Sequence, residues 1–296
     1  MKPPAFEYYC PETLDEALGL LAQYGAEAKV LAGGQSLMPM LNMRLSHPGV
    51  VIDINRLPDL NRVTVEGTSL QVGALVRHAE LEHSALAATH CPILPAAERL
   101  VAHLAIRQRG TVVGSLVHAD PAAELPLVWL TLGGELEVRS TRGSRTIAPE
   151  AFYLGYFMTD LAPDELAVAV RFERPAAGHG WAIEEFARRS GDFALCAAAA
   201  VVEWDAARGV VQGVRLGLGG VGGAPVRLDQ AVAPLVGAVP EAELVREVAR
   251  GVGQYLDPPD DLHASRAFRL HLAEVLSERA LRAAVRRAQA KEVQGA

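Results

Sequence analysis

The sequence predicts an α+β protein of two domains. Three observations carry that reading: a length of 296 residues, a break in composition at 175–180 (PAAGHG), and a change of pattern across that break. Before it, strands are interleaved with helices; after it, three strand-like runs are followed by two helices. A chain of this length holds about two units of roughly 100–200 residues, so domains are expected over 1–176 and 177–290. Half of the residues are hydrophobic, enough to fill two cores and too many for a disordered chain.

The elements follow in order. Thr13 with Glu16 three residues on makes a capping box. Leu14, Ala17, Leu18 and Leu21 continue at helical spacing until Gly25 stops the helix. A short strand at 29–32 runs into the turn Gly33-Gly34, and an unbroken Val-Val-Ile marks a buried strand over 49–54. A hairpin, 62–66 and 69–74, turns at Gly67. Helical stretches near 78–86 and 93–104 lead to a second glycine-bearing segment, 110–115. A helix over 122–130, whose Trp129 and Leu130 read as core, precedes strands around 135–139 and 165–172.

Past the break, 183–188, 195–204 and 210–219 read as a meander turning at 190–192 and 205–209. Helices at 241–256 and 263–288 are expected to cover one of its faces. In the last helix Phe268, Leu272, Val275, Leu276 and Leu281 form a stripe, while Arg279, Arg282, Arg286, Arg287 and Lys291 read as a solvated face.

Composition excludes several functions. The formal charge is −7, opposite to what a nucleic-acid binder needs. The longest apolar run, 193–202, has ten residues, half of a membrane span. The opening MKPPAFEYYC lacks the apolar stretch of a signal peptide, so a cytoplasmic location is expected. Cys10, Cys91 and Cys196 are too few for an all-cysteine four-ligand iron–sulfur cluster and form no CxxC. The histidines, His78 and His83 among them, show no ligand spacing. If the protein handles electrons, an organic cofactor or another chain carries them.

Three glycine clusters compete as ligand sites. Gly217, Gly219 and Gly222 match GxGxxG, but Pro225 and Val226 follow where a helix would have to start, so a strand ending in a glycine turn is the better reading. The other two work as a pair. Ala32, Gly33, Gly34, Gln35, Ser36 and Leu37 follow a strand, and paired glycines let successive amides form a nest for anionic oxygens. Gly110, Thr111, Val112, Val113, Gly114 and Ser115 repeat the pattern, with a hydroxyl in each segment. Downstream, Asp120 and Glu124 offer acceptors for ribityl, ribose or base donors, and His118 lies close by in sequence. Two such segments suit the two phosphates of a dinucleotide; on spacing alone two ordinary turns are the commoner explanation, since glycine turns are frequent. Arg107 and Arg109 are placed either to reach a phosphate or to face solvent or a partner.

These residues resemble a known family. AGGQSLMPMLNMRLSHPGVVIDI and IRQRGTVVGSLVHADPAAELP are similar to the FAD-binding medium subunit of the molybdenum hydroxylases, a group that includes aerobic carbon monoxide dehydrogenase, xanthine dehydrogenase and nicotine dehydrogenase. The likeness opens at Phe6-Glu-Tyr8 to Thr13 and continues through Arg189-Ser-Gly191-Asp192-Phe193-Ala194. It implies a two-lobed flavin domain of the vanillyl-alcohol-oxidase (PCMH) type, then a three-stranded antiparallel sheet with a helical bundle, with FAD between them. By matching position, Ala32 to Ser36 and Thr111 to Ser115 would cradle the pyrophosphate. Asp120 and Glu124 would lie near the adenosine half. Leu166 and Ala167 would approach through their backbone, and Asp192 and Phe193 would sit beside the isoalloxazine ring.

The resemblance also implies partners: a small subunit with two iron–sulfur clusters and a large molybdopterin subunit, in a dimer of heterotrimers. Electrons would pass through FAD to an acceptor such as NAD, oxygen or a quinone, with no protein nucleophile required. Two other readings remain: a stand-alone FAD oxidoreductase, and an apo assembly scaffold. The scaffold reading rests on one departure, since the family has glycine where this chain has Val113. A β-region backbone there is expected, because valine at positive φ costs about 1–3 kcal/mol.

Overall fold

The computed structural model describes residues 2–176 and 178–295, with side chains through residue 290. Ala177, where the expected boundary falls, and the side chain of Lys291 lie outside the described residues. Residues up to 176 form two larger sheets and one separate two-stranded hairpin. In the first, β1 (Glu7–Tyr9), β2 (Ala28–Leu31) and β3 (Val50–Asp53) run parallel in the order β1-β3-β2. The expected capping box starts α1 (Leu14–Tyr24): Thr13 Oγ1 accepts from the Glu16 amide at 3.2 Å, and Glu16 accepts from the amides of Glu12 and Thr13. Ala17, Leu18 and Leu21 then pack on Val50 and Ile52.

The second sheet is antiparallel. It contains β4 (Val63–Glu66), β5 (Ser69–Gly73), β6 (Gly134–Ser140) and β7 (Gly143–Ile147). A small hairpin, β8 (Tyr153–Gly155) and β9 (Met158–Thr159), stands apart before β10 (Leu166–Glu173) returns to the centre, giving the order β4-β5-β10-β6-β7. Strand β7 escapes sequence reading because only Ile147 of its five residues is buried, leaving no apolar alternation.

Short helices complete this part: α2 (Leu37–Asn42), α3 (His78–Glu82), α4 (Ala85–His90), α5 (Ile93–Glu98), α6 (Leu104–Arg107), α7 (Val112–His118), α8 (Glu124–Leu132) and α9 (Pro149–Phe152), of which α3, α4, α5, α7, α8 and α9 share the core of this sheet. The two stretches expected near 78–86 and 93–104 are thus each broken in two, with Ser84 capping the amide of Ala87 at 3.2 Å to restart the chain as α4. Trp129 is fully buried against Phe152 and Tyr153, as core.

Past residue 177, β11 (Gly180–Phe186), β12 (Cys196–Asp205), β13 (Val210–Gly219) and β14 (Val226–Arg227) form one antiparallel sheet in chain order. The expected three strands are present, and β14 corrects their number to four; two residues after Pro225 carry no pattern. Helices α10 (Asp229–Val232), α11 (Ala242–Gly251) and α12 (Arg266–Gly295) follow.

The apolar run that becomes β12 is buried on both faces. Cys196, Ala198, Ala200 and Val202 share a core with α12, while Ala197, Ala199 and Val201 join the core of α8 and the five-stranded sheet. The meander is therefore roofed on one side by its own helices and on the other by the N-terminal part. The GxGxxG look-alike belongs to this seam. A Cβ on Gly217 would overlap Thr131 Oγ1 and lie 2.9 Å from Leu127, and Gly220 turns at φ +74° with its amide on Pro121 O at 2.8 Å. It is a strand ending in a glycine turn.

The basic face of α12 is only partly solvated. Arg287 donates to Trp181 O at 2.5 Å with its guanidinium 4.1 Å from the Trp181 ring centroid, and Arg282 pairs with Glu278. No helix among the described residues is long and apolar enough to cross a membrane.

Candidate functional site

Strand β2 ends at Leu31 and delivers the chain into the first glycine turn. Gly34 sits at φ +71°, which glycine adopts without strain. Gln35 Nε2 donates to Gly33 O at 3.0 Å, and Asn55 Nδ2 donates to Ala32 O at 2.8 Å. A trans peptide points its N–H opposite to its C=O. Holding these two carbonyls therefore aims the Gly33 and Gly34 amides the other way. Among the described residues the amides of 33–37 have no acceptor within the chain, and Ser36 makes no capping bond to α2.

The second segment differs from the expected loop. Only Gly110 and Thr111 are extended; Val112, Val113, Gly114 and Ser115 already belong to α7. Thr111 caps that helix, its Oγ1 accepting from the Gly114 amide at 3.1 Å, and Ser115 N donates to Thr111 O. Gly114 lacks a side chain because a Cβ would lie 2.5 Å from Thr111 Oγ1. The amides of Thr111 and Val113 remain without an acceptor in the chain among the described residues. Gly110 rests on the ring of His78, whose Nδ1 lies 2.8 Å from buried Glu98.

The two segments touch. A Cβ on Gly33 would stand 2.5 Å from Arg109 O, 2.6 Å from Gly110 Cα and 3.0 Å from Thr111 N. All three are backbone atoms, so this approach exists only because residue 33 is glycine. Seven free amides on two abutting segments are suited to anionic oxygens, and a pyrophosphate fits such a donor set.

Val113 corrects the expectation of a β-region backbone. It is helical, at the second position of α7, and its side chain is buried in the core of the five-stranded sheet. The valine strains nothing and points away from the free amides' work. Val113→Gly should lower stability by about 2–4 kcal/mol, from lost burial and helix propensity, with no gain in bound flavin. Thermal melts and flavin absorbance of the purified variant check both parts.

The remaining expected residues fall into distinct settings. His118 is half-buried, its ring 5.1 Å from that of Phe157, and burial lowers its pKa so that it is neutral at pH 7. Asp120 closes a turn, Oδ1 accepting from Ala122 N at 2.9 Å. Leu166 packs in the core with Ile54 and Leu75, so only its backbone is able to meet a ligand. Asp192 and Phe193 are exposed, in a turn whose Gly191 (φ +84°) fits against His103; a Cβ there would lie 2.5 Å from the imidazole. That contact sets the β11–β12 turn beside α6, just ahead of the second segment.

Glu124 is buried at the start of α8 and faces Glu185 of β11. Burial first, then the Glu185 charge, raises its pKa to about 8; burial also raises Glu185, which its hydrogen bond from Glu124 partly offsets. Glu124 is thus the protonated partner at neutral pH. A raised folded-state pKa gives stability that is complete below the ordinary carboxylate range and lost as pH rises through about 8. In the flavin-free chain Glu124→Gln should match the wild-type melting temperature at pH 5 and exceed it by roughly 3 °C at pH 9. Parallel pH profiles would contradict the shared proton.

Arg107 is committed to structure, binding Glu82 at 2.9 Å and the carbonyls of Val101 and Ala102. Asn55 and Arg77 were invisible to sequence reading, since neither lies in a motif. All three cysteines are free thiols, and no metal-ligating group is present among the described residues.

Comparisons with known proteins agree with this architecture. The family "FAD binding domain in molybdopterin dehydrogenase" matches residues 4–175, and "CO dehydrogenase flavoprotein C-terminal domain" matches 181–284. The chain is 38% identical to 6-hydroxypseudooxynicotine dehydrogenase complex subunit alpha of Paenarthrobacter nicotinovorans, covering 97% of each. It is 33% identical to the carbon monoxide dehydrogenase medium chain of Hydrogenophaga pseudoflava, covering 96% of this chain and 98% of that one. Among solved structures, carbon monoxide dehydrogenase from the same organism superposes with a TM-score of 0.93 at 35% identity, over 97% of this chain and 99% of that one. Quinoline 2-oxidoreductase from Pseudomonas putida 86 gives 0.91 at 36% identity, over 98% and 99%. With both parts matched and relatives above 30% identity along almost its whole length, the chain belongs to the FAD-binding medium subunits of the molybdenum hydroxylase family, of the carbon monoxide dehydrogenase and xanthine dehydrogenase type.

Proposed function

We propose that this chain is the flavoprotein subunit of a molybdenum hydroxylase complex and passes electrons from the iron–sulfur clusters of a small partner subunit, through FAD, to an external acceptor. A large molybdopterin subunit oxidises the substrate, and the assembly is a cytoplasmic dimer of heterotrimers. The names of the relatives as subunits and medium chains support the partnership. The N-terminal sheets correspond to the two lobes of a PCMH-type domain over 1–176, and the C-terminal domain to 177–290, a division supported by family matches that end at 175 and begin at 181.

The observation that carries the reading is the backbone contact of Gly33 with residues 109–111. When bound, FAD supplies a redox centre that exchanges electrons singly or in pairs. The protein's part is to bind and orient it. The amides of Gly33, Gly34, Gln35, Ser36 and Leu37, with those of Thr111 and Val113, hold the pyrophosphate, and the Ser36 hydroxyl adds a donor. Ala32 and Gln35 fix the peptide planes of the first turn. Val112 and Val113 anchor α7 in the core, and Gly114 leaves room for the Thr111 cap. Ser115, His118, Asp120 and protonated Glu124 would present polar groups to the cofactor. Leu166 and Ala167 would meet it through backbone, and Asp192 and exposed Phe193 would flank its ring and screen it from water.

Co-purification tests this function. The complex should carry FAD equimolar with this chain, together with molybdenum and iron, and substrate should reduce the flavin only with both partners present. Reduction by a small substrate in the isolated chain would favour a stand-alone oxidoreductase. A colourless chain that binds no added FAD would favour an assembly scaffold.

A further inference from the structure

A continuous chain of hydrogen bonds links the two glycine segments, starting at Ala32 O, on the side opposite the free Gly33 amide. Asn55 Nδ2 donates to Ala32 O at 2.8 Å, and Asn55 Oδ1 accepts from Arg77 Nη2 at 2.6 Å. Arg77 Nη1 donates to Arg109 O at 2.5 Å. The two carbonyls at its ends are equivalent: each belongs to the residue immediately before the first glycine of its segment, Gly33 and Gly110.

Both braces are themselves held. The backbone amide and Nδ2 of Asn55 bond Asp53 Oδ1 at 2.9 and 2.5 Å, and Tyr8 donates to Asp53 Oδ2 at 2.6 Å. The Arg77 amide bonds Glu80 at 2.8 Å, and its backbone pairs with Thr111. Asp53 and Asn55 follow from β3, so the link runs from the three-stranded sheet to the segment that opens α7.

We propose that Asn55 and Arg77 are positioning residues for FAD, forming a brace that sets the separation and orientation of the two pyrophosphate-binding segments. The proposal rests on the cradle reading given above. An arginine fork is required because one side chain must donate in two directions, to Asn55 Oδ1 and to Arg109 O. The effect on the ligand passes through the peptide plane: with Ala32 O fastened to Asn55, the Gly33 N–H is aimed at the opposite side. Asn55 is exposed and Arg77 half-buried, both lining a surface cavity of about 220 Å³ with Asp59, Asn61 and Glu80. Loss of the brace therefore strands no deeply buried charge, and folding is expected to survive it.

The test is an equilibrium FAD titration of the full-length flavin-free chain, by flavin fluorescence quenching, with melting temperature recorded alongside. Arg77→Met and Asn55→Ala should each weaken FAD binding by about tenfold, the scale of one charge-assisted hydrogen bond, while the flavin-free melting temperature stays close to wild type. Arg77→Lys, which reaches one acceptor only, should fall between, and it decides the matter if the methionine variant does not fold. The double variant should bind no more weakly than the weaker single one, because both changes break the same link. Unchanged affinity in the single variants, or fully additive losses in the double one, overturns the brace. Gly33→Ala separates the two levels: if it weakens binding and the Asn55 and Arg77 variants do not, the brace alone fails. If none of them does, cradle and brace fail together.

Discussion

Gly33→Ala should reduce FAD affinity by at least about tenfold and lower stability by about 1–3 kcal/mol. The added methyl has nowhere to go, because the atoms at 2.5–3.0 Å are the backbone of residues 109–111 and no side chain can swing aside. The chain must open the contact, and opening it separates the amides of 33–37 from those of Thr111 and Val113. Flavin absorbance per chain after gel filtration, with a melt of the flavin-free form, reads both consequences. Wild-type flavin content in the variant would mean that the contact is irrelevant to the cofactor.

Gly180→Ala should be strongly destabilising. Its Cβ would overlap Ala284 O and lie 2.5 Å from Ala288 N, so β11 would have to lift from α12. Overpacking of backbone on backbone costs about 3 kcal/mol here, a fall of roughly 10 °C in melting temperature. The other face of this sheet roofs α8, so the damage spreads through the shared core. Yet residue 180 lies far in sequence from both glycine segments, and the nearest atoms its methyl would meet belong to α12. Folded Gly180→Ala should therefore bind FAD more nearly as wild type than Gly33→Ala does. Differential scanning calorimetry beside the same titration distinguishes a packing defect from a binding defect.

Local chemistry was legible in the sequence, and long-range contact was not. Thr13 and Glu16 announce the start of α1 because both partners lie within four residues. Pro225 after Gly222 disqualifies the nucleotide fingerprint, and the structure uses those glycines to seat β13 on α8. The run at 195–204 reads as a strand of a meander covered on one face, and nothing in it says that two different layers bury it. The β-region expectation for Val113 rests on the cost of valine at positive φ alone; the Thr111 cap, which accepts from the Gly114 amide three residues on, makes Val113 helical. Contact between Gly33 and Gly110 joins residues far apart in the chain, which no local pattern encodes. Glu185 escaped notice for the same reason: alone it is one more acid on a strand, and only the fold sets it against Glu124.

A structure of the full-length chain with FAD bound should show pyrophosphate oxygens at about 2.9 Å from backbone nitrogens of both segments, residues 33–37 on one side and Thr111 and Val113 on the other. A pyrophosphate bound to only one segment, or lying elsewhere in the chain, would contradict it.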